Sequence, residues 1–156
     1  MQASDESRVS EIRVFAWRSS YRHIFSDEHL FSTLLVSKQS GHFENVFSYE
    51  SYVYDDGIIK GFLATGPCED DDELDSFEVG SLYIDPFMHR QGIGTAMMAF
   101  CENAATQRGY SKICLWTLEK NAAARSFYEK QGYAPDGARK FLNDIGTHQV
   151  RYSKEI

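Results

Sequence analysis

The sequence predicts an α/β chain of the α+β type, with a mixed sheet covered on its faces by helices. Three features of the pattern carry that prediction. Apolar residues recur at helical spacing through the first quarter of the chain, change to a period of two from Ser51, and then alternate between helical and strand patterns to the C-terminus. The chain has 156 residues, of which 42% are hydrophobic, 14% aromatic and 25% charged, which is the composition of a packed globule. That length fits a single domain spanning residues 1–156.

From about Glu6 to His23, Val9, Ile12, Phe15, Ala16 and Ile24 lie at helical spacing, and Ser4 or Asp5 is placed to cap the helix. A second helix is expected from Ser26, whose hydroxyl precedes Asp27 and Glu28 in the first turn, where the helix dipole favours acids. It is expected to end before Gly41, with a short further turn to Phe47. Ser51–Tyr54 and Ile58–Thr65 read as strands joined by the hairpin signal Asp55-Asp56-Gly57. An acidic loop opens at Gly66-Pro67, and Phe77–Ile84 is a third strand that Asp85-Pro86 terminates. The next helix, Ile93 to about Arg108, stacks Ile93, Met97, Phe100 and Ala104 and stops at Gly109. Lys112–Leu118 is a strand, Asn121 caps a helix through Lys130 that stops at Gly132, and 139–156 reads as two strands turning at 144–147.

The same residues exclude several functions. No apolar run approaches the roughly 20 residues that cross a bilayer, and no basic region followed by an apolar run marks the N-terminus, so no membrane partner is expected. Cys68, Cys101 and Cys114 are widely spaced with no CxxC pair, so their spacing suggests neither a disulfide framework nor a metal site, and a reducing cytoplasm is the simplest setting. The net charge of −7 is concentrated in Glu69, Asp70, Asp71, Asp72, Glu73 and Asp75; elsewhere 17 acids face 16 bases. That near-neutral body has no basic footprint for nucleic acid. The acidic run is either a solvated loop or a patch that draws in a cationic acceptor.

The chemistry concentrates between Leu82 and Thr95, where a strand, a short loop and a glycine-bearing helix start follow one another. The first amides of a helix have no internal partners, and Gly92 and Gly94 let a ligand approach the backbone, so the segment suits an anion such as a pyrophosphate. A tight strand-to-helix connection explains the glycines equally well. No Walker loop is present, and the dinucleotide fingerprint fails because Met97 stands where its third glycine belongs.

Two motifs resemble the GNAT family of acetyltransferases, and the likeness runs from roughly Ala16 to Tyr152. His89-Arg90-Gln91-Gly92-Ile93-Gly94 is similar to the family's pyrophosphate loop, (Gln/Arg)-x-x-Gly-x-(Gly/Ala), with His89 in place of the usual Gln or Arg. Asn121 to Tyr133 is similar to its Asn-x-x-Ala-x-x-Phe-Tyr-x-x-x-Gly-Phe helix, through Asn121, Ala124, Phe127, Tyr128 and Gly132. The family's first strand is short or absent here. The resemblance implies the GNAT acyl-CoA N-acyltransferase fold, a central mixed, mostly antiparallel sheet flanked by helices. It also implies acetyl-CoA as cosubstrate, an amine acceptor from a small molecule or peptide, and in many members a homodimer.

The resemblance further implies that Leu82, Tyr83 and Ile84 splay from the neighbouring strand and hold the pantetheine arm and thioester oxygen through their main chain. His89, Arg90, Gln91, Gly92, Ile93, Gly94 and Thr95 take the pyrophosphate. Tyr128 is the candidate general acid, since a phenol with pKa about 10 can protonate a thiolate whose conjugate acid lies near 8.5. Ala124, four residues earlier on the same helix face, leaves room beside it. Asn121 is a cap, a pantetheine contact, or both. The acceptor amine must lose a proton, and Glu78 is the candidate base; period-two alternation places it with Gly80, Leu82 and Ile84, unless a bulge reverses the facing or a water chain takes its role. Trp17, Tyr21, His23 and Phe25 either line the acceptor pocket or belong to the core. A module that binds acetyl-CoA without turnover, and a transferase using another acyl-CoA or an alcohol, share these motifs; Tyr128 and Glu78 speak against the first.

Overall fold

The computed structural model of the chain describes residues 1–38, 49–143 and 145–156, so the expected turn to Phe47 and position 144 lie outside the described residues. Helix α1 is Glu6–Ser20, and strands β1 to β3 are Glu50–Asp55, Ile59–Pro67 and Phe77–Ile84. Helix α2 is Ile93–Gln107, β4 Lys112–Leu118, α3 Ala122–Lys130, β5 Ala134–Leu142 and β6 Thr147–Glu155. The strands form a six-stranded sheet in the order β1-β2-β3-β4-β6-β5. β3 and β4 are parallel, while β6 runs antiparallel to both β4 and β5, so the sheet is mixed. The chain divides into two compact units, Met1–Ala64 with Ser81–Met97, and Thr65–Gly80 with Met98–Ile156. Among the described residues no helix is long and apolar enough to cross a membrane.

In the first unit, β2 alternates as a two-sided strand must. Phe62 and Ala64 pack with Val9 of α1, joined by Val53 and Tyr83, while Gly61 points the other way. A Cβ there would come within 2.8 Å of Met97 Sδ, 2.9 Å of Ile84 Cδ1 and 3.3 Å of Ile93 Cγ2, so Gly61 is what lets the start of α2 seat closely on the strand. The hairpin signal works as its residues suggest: Gly57 has φ 112° and its amide donates to Asp55 Oδ1 at 2.9 Å.

The expected second helix is shorter than predicted: the chain is helical from Asp27 to Thr33, passing into a π turn over His29–Thr33, and a 3-10 turn follows at Val36–Lys38. Its predicted start is real, since Ser26 Oγ accepts from the His29 amide at 3.2 Å. Arg18 of α1 reaches across to its end. Its Nε donates to the Leu30 carbonyl at 3.0 Å and its Nη2 to the Leu34 carbonyl at 3.1 Å, so those acceptors are bonded by the guanidinium.

In the second unit, β4 is buried almost throughout, with Ile113, Cys114 and Leu115 at its centre, as befits a strand with neighbours on both edges. Its parallel register with β3 pairs Phe77 with Ile113, Glu78 with Cys114 and Val79 with Leu115. The buried residues of α2 are Ile93, Met97, Met98, Cys101, Ala104 and Ala105; Phe100, expected among them, is 45% exposed. The helix stops as predicted at Gly109, whose φ of 87° accompanies a Tyr110 amide bond to the Ala105 carbonyl at 3.1 Å. Strand β5 begins at Ala134, five residues earlier than expected, because its pairing to β6 slips between Pro135 and Arg139 at Gly137, φ 97°.

The acidic loop is not simply solvated. Arg151 of β6 is only 4% exposed, and its guanidinium donates to Asp72 at 2.6 and 2.8 Å, to Asp136 at 2.7 Å and to Asp70 at 3.2 Å. Lys112 holds Glu73 at 2.5 Å, and Trp116 Nε1 donates to Asp70 at 2.7 Å. Three of the six clustered acids are thereby tied to two cations of the same unit, which weakens the expectation that the run steers a cation. The hydrogen bond from Arg151 holds the Asp72 carboxyl down at about 2. Burial opposes ionisation of Glu73, but its bonds from Lys112 and Ser76 outweigh that and leave it below the usual carboxylate value.

Carboxyls depressed in the folded state contribute stability above their unfolded pKa of about 4, and that contribution is lost as pH falls through the folded value. The loop should therefore stay bound at pH 4 and release between about 4 and 2, read from Trp116 fluorescence in a Trp17→Phe background. Arg151→Met should move the midpoint to higher pH; an unchanged midpoint would show that Arg151 does not hold the loop.

Candidate active site

The loop between β3 and α2 is anchored at its first residue. Asp85 is buried, its Oδ1 accepts from the Phe87 amide at 2.9 Å, and its carbonyl accepts from the Met88 amide at 2.8 Å, which shapes a 3-10 turn over Pro86–Met88. Proline suits that position because its missing N–H is one that a helix start leaves unbonded. The other carboxylate oxygen pairs with Arg8 Nη2 at 2.5 Å, and Arg8 Nε donates to the Ile59 carbonyl at 3.1 Å. The Asp85 amide donates to the Lys60 carbonyl at 2.9 Å. α1 and β2 thus fix the point where the loop leaves the sheet. Neither Arg8 nor Asp85 was singled out as a site residue from sequence; an acid directly before proline at a strand end was the available signal.

Beyond this anchor the backbone takes an unusual path. Arg90 has φ 65° and Gly92 φ 79°, so two residues flanking Gln91 lie in the left-handed region. For Arg90 that conformation costs roughly 1–2 kcal/mol. Alternating hand is the backbone form in which successive N–H groups converge on one side. The first bond of α2 runs from the Ala96 amide to the Gly92 carbonyl at 3.0 Å, so the amides of Ile93, Gly94 and Thr95 precede the helical ladder. His89, Arg90, Gln91, Gly92 and Thr95 are exposed, Ile93 is buried as the first core residue of α2, and a Cβ on Gly92 would meet nothing within 4 Å. The arrangement presents helix-start amides, two basic side chains and an open glycine to an anion.

At the start of strand β3, Phe77 meets Tyr110 at 5.1 Å and Arg108 at 5.5 Å. Toward the end of the strand, Ile84 lies near Gly61, Met97 and Ile93, and Tyr83 packs on Val9, Phe62 and Ala64, its hydroxyl accepting from Trp17 Nε1 at 3.3 Å. Glu78 itself is half-buried, opposite Cys114 in register, and its carbonyl accepts from Thr65 Oγ1 at 2.8 Å.

On α3, Asn121 is buried and caps the helix, its Oδ1 accepting from the Ala124 amide at 3.2 Å. Tyr128 is also buried, with the rings of Phe127, Tyr133 and Tyr152 at 5.3, 6.3 and 6.4 Å. Ala124 lies one turn before it and is half-buried. A network unforeseen from sequence holds this helix: Tyr152 Oη donates to Glu129 at 2.8 Å and accepts from Arg125 Nε at 3.0 Å, while Arg125 Nη1 donates to the Glu119 carbonyl at 3.2 Å.

The aromatic residues considered for the acceptor side form one cluster in the first unit. Trp17 stacks on Phe25 at 5.8 Å, and Tyr21 meets both edge-on at 5.0 and 5.9 Å. His23 is exposed, and His29 meets Phe25 at 5.2 Å.

Comparison with known proteins follows the same residues. The chain is similar to the uncharacterized N-acetyltransferase YuaI of Bacillus subtilis, 29% identical over 138 residues that cover 85% of this chain and 75% of YuaI. Its fold is similar to that of PaiA N-acetyltransferase from Thermoplasma acidophilum, solved in complex with coenzyme A, with a TM-score of 0.74 at 18% identity, covering 100% of this chain and 96% of that one. It is also similar to ribosomal-protein-alanine N-acetyltransferase from Brucella melitensis, with a TM-score of 0.73 at 18% identity and coverage of 100% and 97%. Residues 7–133, which include both the glycine loop and the Asn121 helix, match the Acetyltransferase (GNAT) family, and the chain belongs to that family.

Proposed function

We propose that the chain transfers the acetyl group of acetyl-CoA to a primary amine of a small molecule or peptide by direct attack. The observation that carries this reading is the left-handed turn at Arg90 and Gly92 ahead of α2, which suits a pyrophosphate. The amides from Gly92 to Thr95 would bind its oxygens, with His89, Arg90 and Gln91 contributing side chains. Leu82, Tyr83 and Ile84, which lead into that turn, would offer main-chain groups to the pantetheine and thioester oxygen. Asn121, whose Oδ1 already caps α3, retains its amide N–H groups for a pantetheine contact, and Ala124 keeps the helix face narrow beside Tyr128. The match to the GNAT family across 7–133 supports one N-acetyltransferase domain over the chain. Three free, buried thiols fit a reducing cytoplasm.

In the reaction, Glu78 accepts a proton from the acceptor ammonium, the freed nitrogen forms a bond to the acetyl carbon, and the carbon–sulfur bond breaks. The Tyr128 hydroxyl supplies the proton taken up by the departing thiolate, and the second proton that the nitrogen sheds as the amide forms restores the phenol; the proton on Glu78 is then released to solvent. A base is required because an alkylammonium has a pKa of about 10.4 and is almost wholly protonated at neutral pH. An amine of the stated class would reach Glu78 as a cation, so a carboxylate both attracts it and removes its proton.

With a primary amine that turns over, Tyr128→Phe should lower kcat on the order of 10²-fold while acetyl-CoA affinity stays within a factor of about two, because the hydroxyl acts at thiolate departure. Unchanged kcat would remove Tyr128 from the mechanism. Glu78→Gln should reduce kcat/KM at neutral pH by a factor that shrinks as pH rises toward the amine's own pKa, where the base is no longer needed. A loss of constant size across the pH profile would assign Glu78 a structural role instead.

A further inference from the structure

The three cysteines are far apart in sequence, yet the fold brings two of them together with an acid in the second unit. Cys68 Sγ and Cys114 Sγ lie 3.1 Å apart, and these sulfurs and a carboxylate oxygen of Glu78 all fall within 4.8 Å of one another. Both thiols are buried and Glu78 is half-buried.

The three donors come from fixed backbone. Cys68 follows the end of β2 and its amide donates to the Ser76 carbonyl at 2.9 Å; Cys114 is held in β4 between Glu78 of β3 and Ser153 of β6. Asp70 follows Cys68 by two residues in the acidic loop. Asp70 is itself fixed through its carboxylate by Trp116 and Arg151. Donors on rigid elements with such support make a site more precise than donors on free loops.

We propose that Cys68, Cys114 and Glu78 form a binding site for a thiophilic divalent cation of the zinc type. Two sulfurs and one carboxylate oxygen select zinc or cadmium over magnesium or calcium, which take oxygen ligands. With metal–sulfur bonds of about 2.3 Å in a tetrahedral arrangement, the sulfurs need to stand about 3.8 Å apart, so a small opening of the present contact accommodates the ion. Three protein ligands leave a fourth position for water or another ligand on the side where Glu78 meets solvent. Sequence spacing hides the site because 45 residues separate the two cysteines and the acid lies between them. The site does not depend on Glu78 acting as a base, although coordination would withdraw the carboxylate from that role.

The test uses reduced, metal-free protein in a phosphine reductant, titrated with cadmium and followed by the ultraviolet thiolate-to-cadmium charge-transfer band, with zinc-dependent Tm as a second readout. The expected result is a band that saturates at one equivalent and a Tm that rises with zinc, since a ion bound only by the folded state stabilises it. Cys101→Ala, which alters the third buried thiol, should keep both responses. Cys68→Ser should lose the Tm rise and most of the band, and Glu78→Gln, which removes a direct ligand, should weaken cadmium binding by at least the roughly 10-fold that loss of an outer-shell partner costs. Cys68 and Glu78 are chosen because Cys114→Ser in the buried centre of β4 risks loss of folding. An unsaturable or absent band, or a response that survives in Cys68→Ser, would overturn the site. Unchanged affinity in Glu78→Gln would reduce it to a thiol pair and overturn the assignment as stated.

Discussion

A carboxylate buried at the end of a strand must find donors, and those that Asp85 finds organise the segment on which the functional reading depends. An unpaired buried charge is costly, so the pair with Arg8 and the bond from the Phe87 amide cannot be given up cheaply. Together they set where β3 ends, start the 3-10 turn, and tie the loop to α1 and β2 of the same unit. From that fixed origin the chain reaches α2 through the left-handed residues Arg90 and Gly92. The strain at Arg90 persists because both ends are held: Asp85 before it, and Ile93 and Met97 packed against Gly61 after it.

The second unit has an analogous centre of opposite sign. Arg151 is buried among Asp70, Asp72 and Asp136, with Glu73 at 3.8 Å, and its guanidinium fork satisfies carboxylates from the acidic loop and from β5. It also lies over the ring of Trp116, which Lys140 approaches at 3.9 Å. The acidic run is therefore part of the tertiary structure, and it fixes Asp70 and the backbone beside Cys68. Part of the acidic run, Asp70, Asp72 and Glu73, gathers around one arginine, while Glu69, Asp71 and Asp75 stay exposed.

Much of this was legible in the sequence, and the reason is locality. The hairpin at Asp55-Asp56-Gly57, the stops at Gly109 and Gly132, the cap at Asn121 and the bounds of β3 and β4 are all written in adjacent residues whose backbone preferences decide the outcome. The two glycine-bearing motifs were legible for the same reason. What escaped depended on distant partners. The helix after Ser26 stops short at the turn whose carbonyls Arg18 bonds, and the acidic loop is held by an arginine some eighty residues on. Phe100 was misplaced because α2 is apolar on more than one face, so spacing alone cannot choose the buried stripe.

The central claim is that the turn from Asp85 to Thr95 holds the pyrophosphate of acetyl-CoA. Calorimetric titration of the purified protein with acetyl-CoA, free CoA and NAD tests it without knowledge of the acceptor. Saturable binding of both CoA species and none of NAD is the result predicted; absence of binding to either CoA species would contradict the assignment.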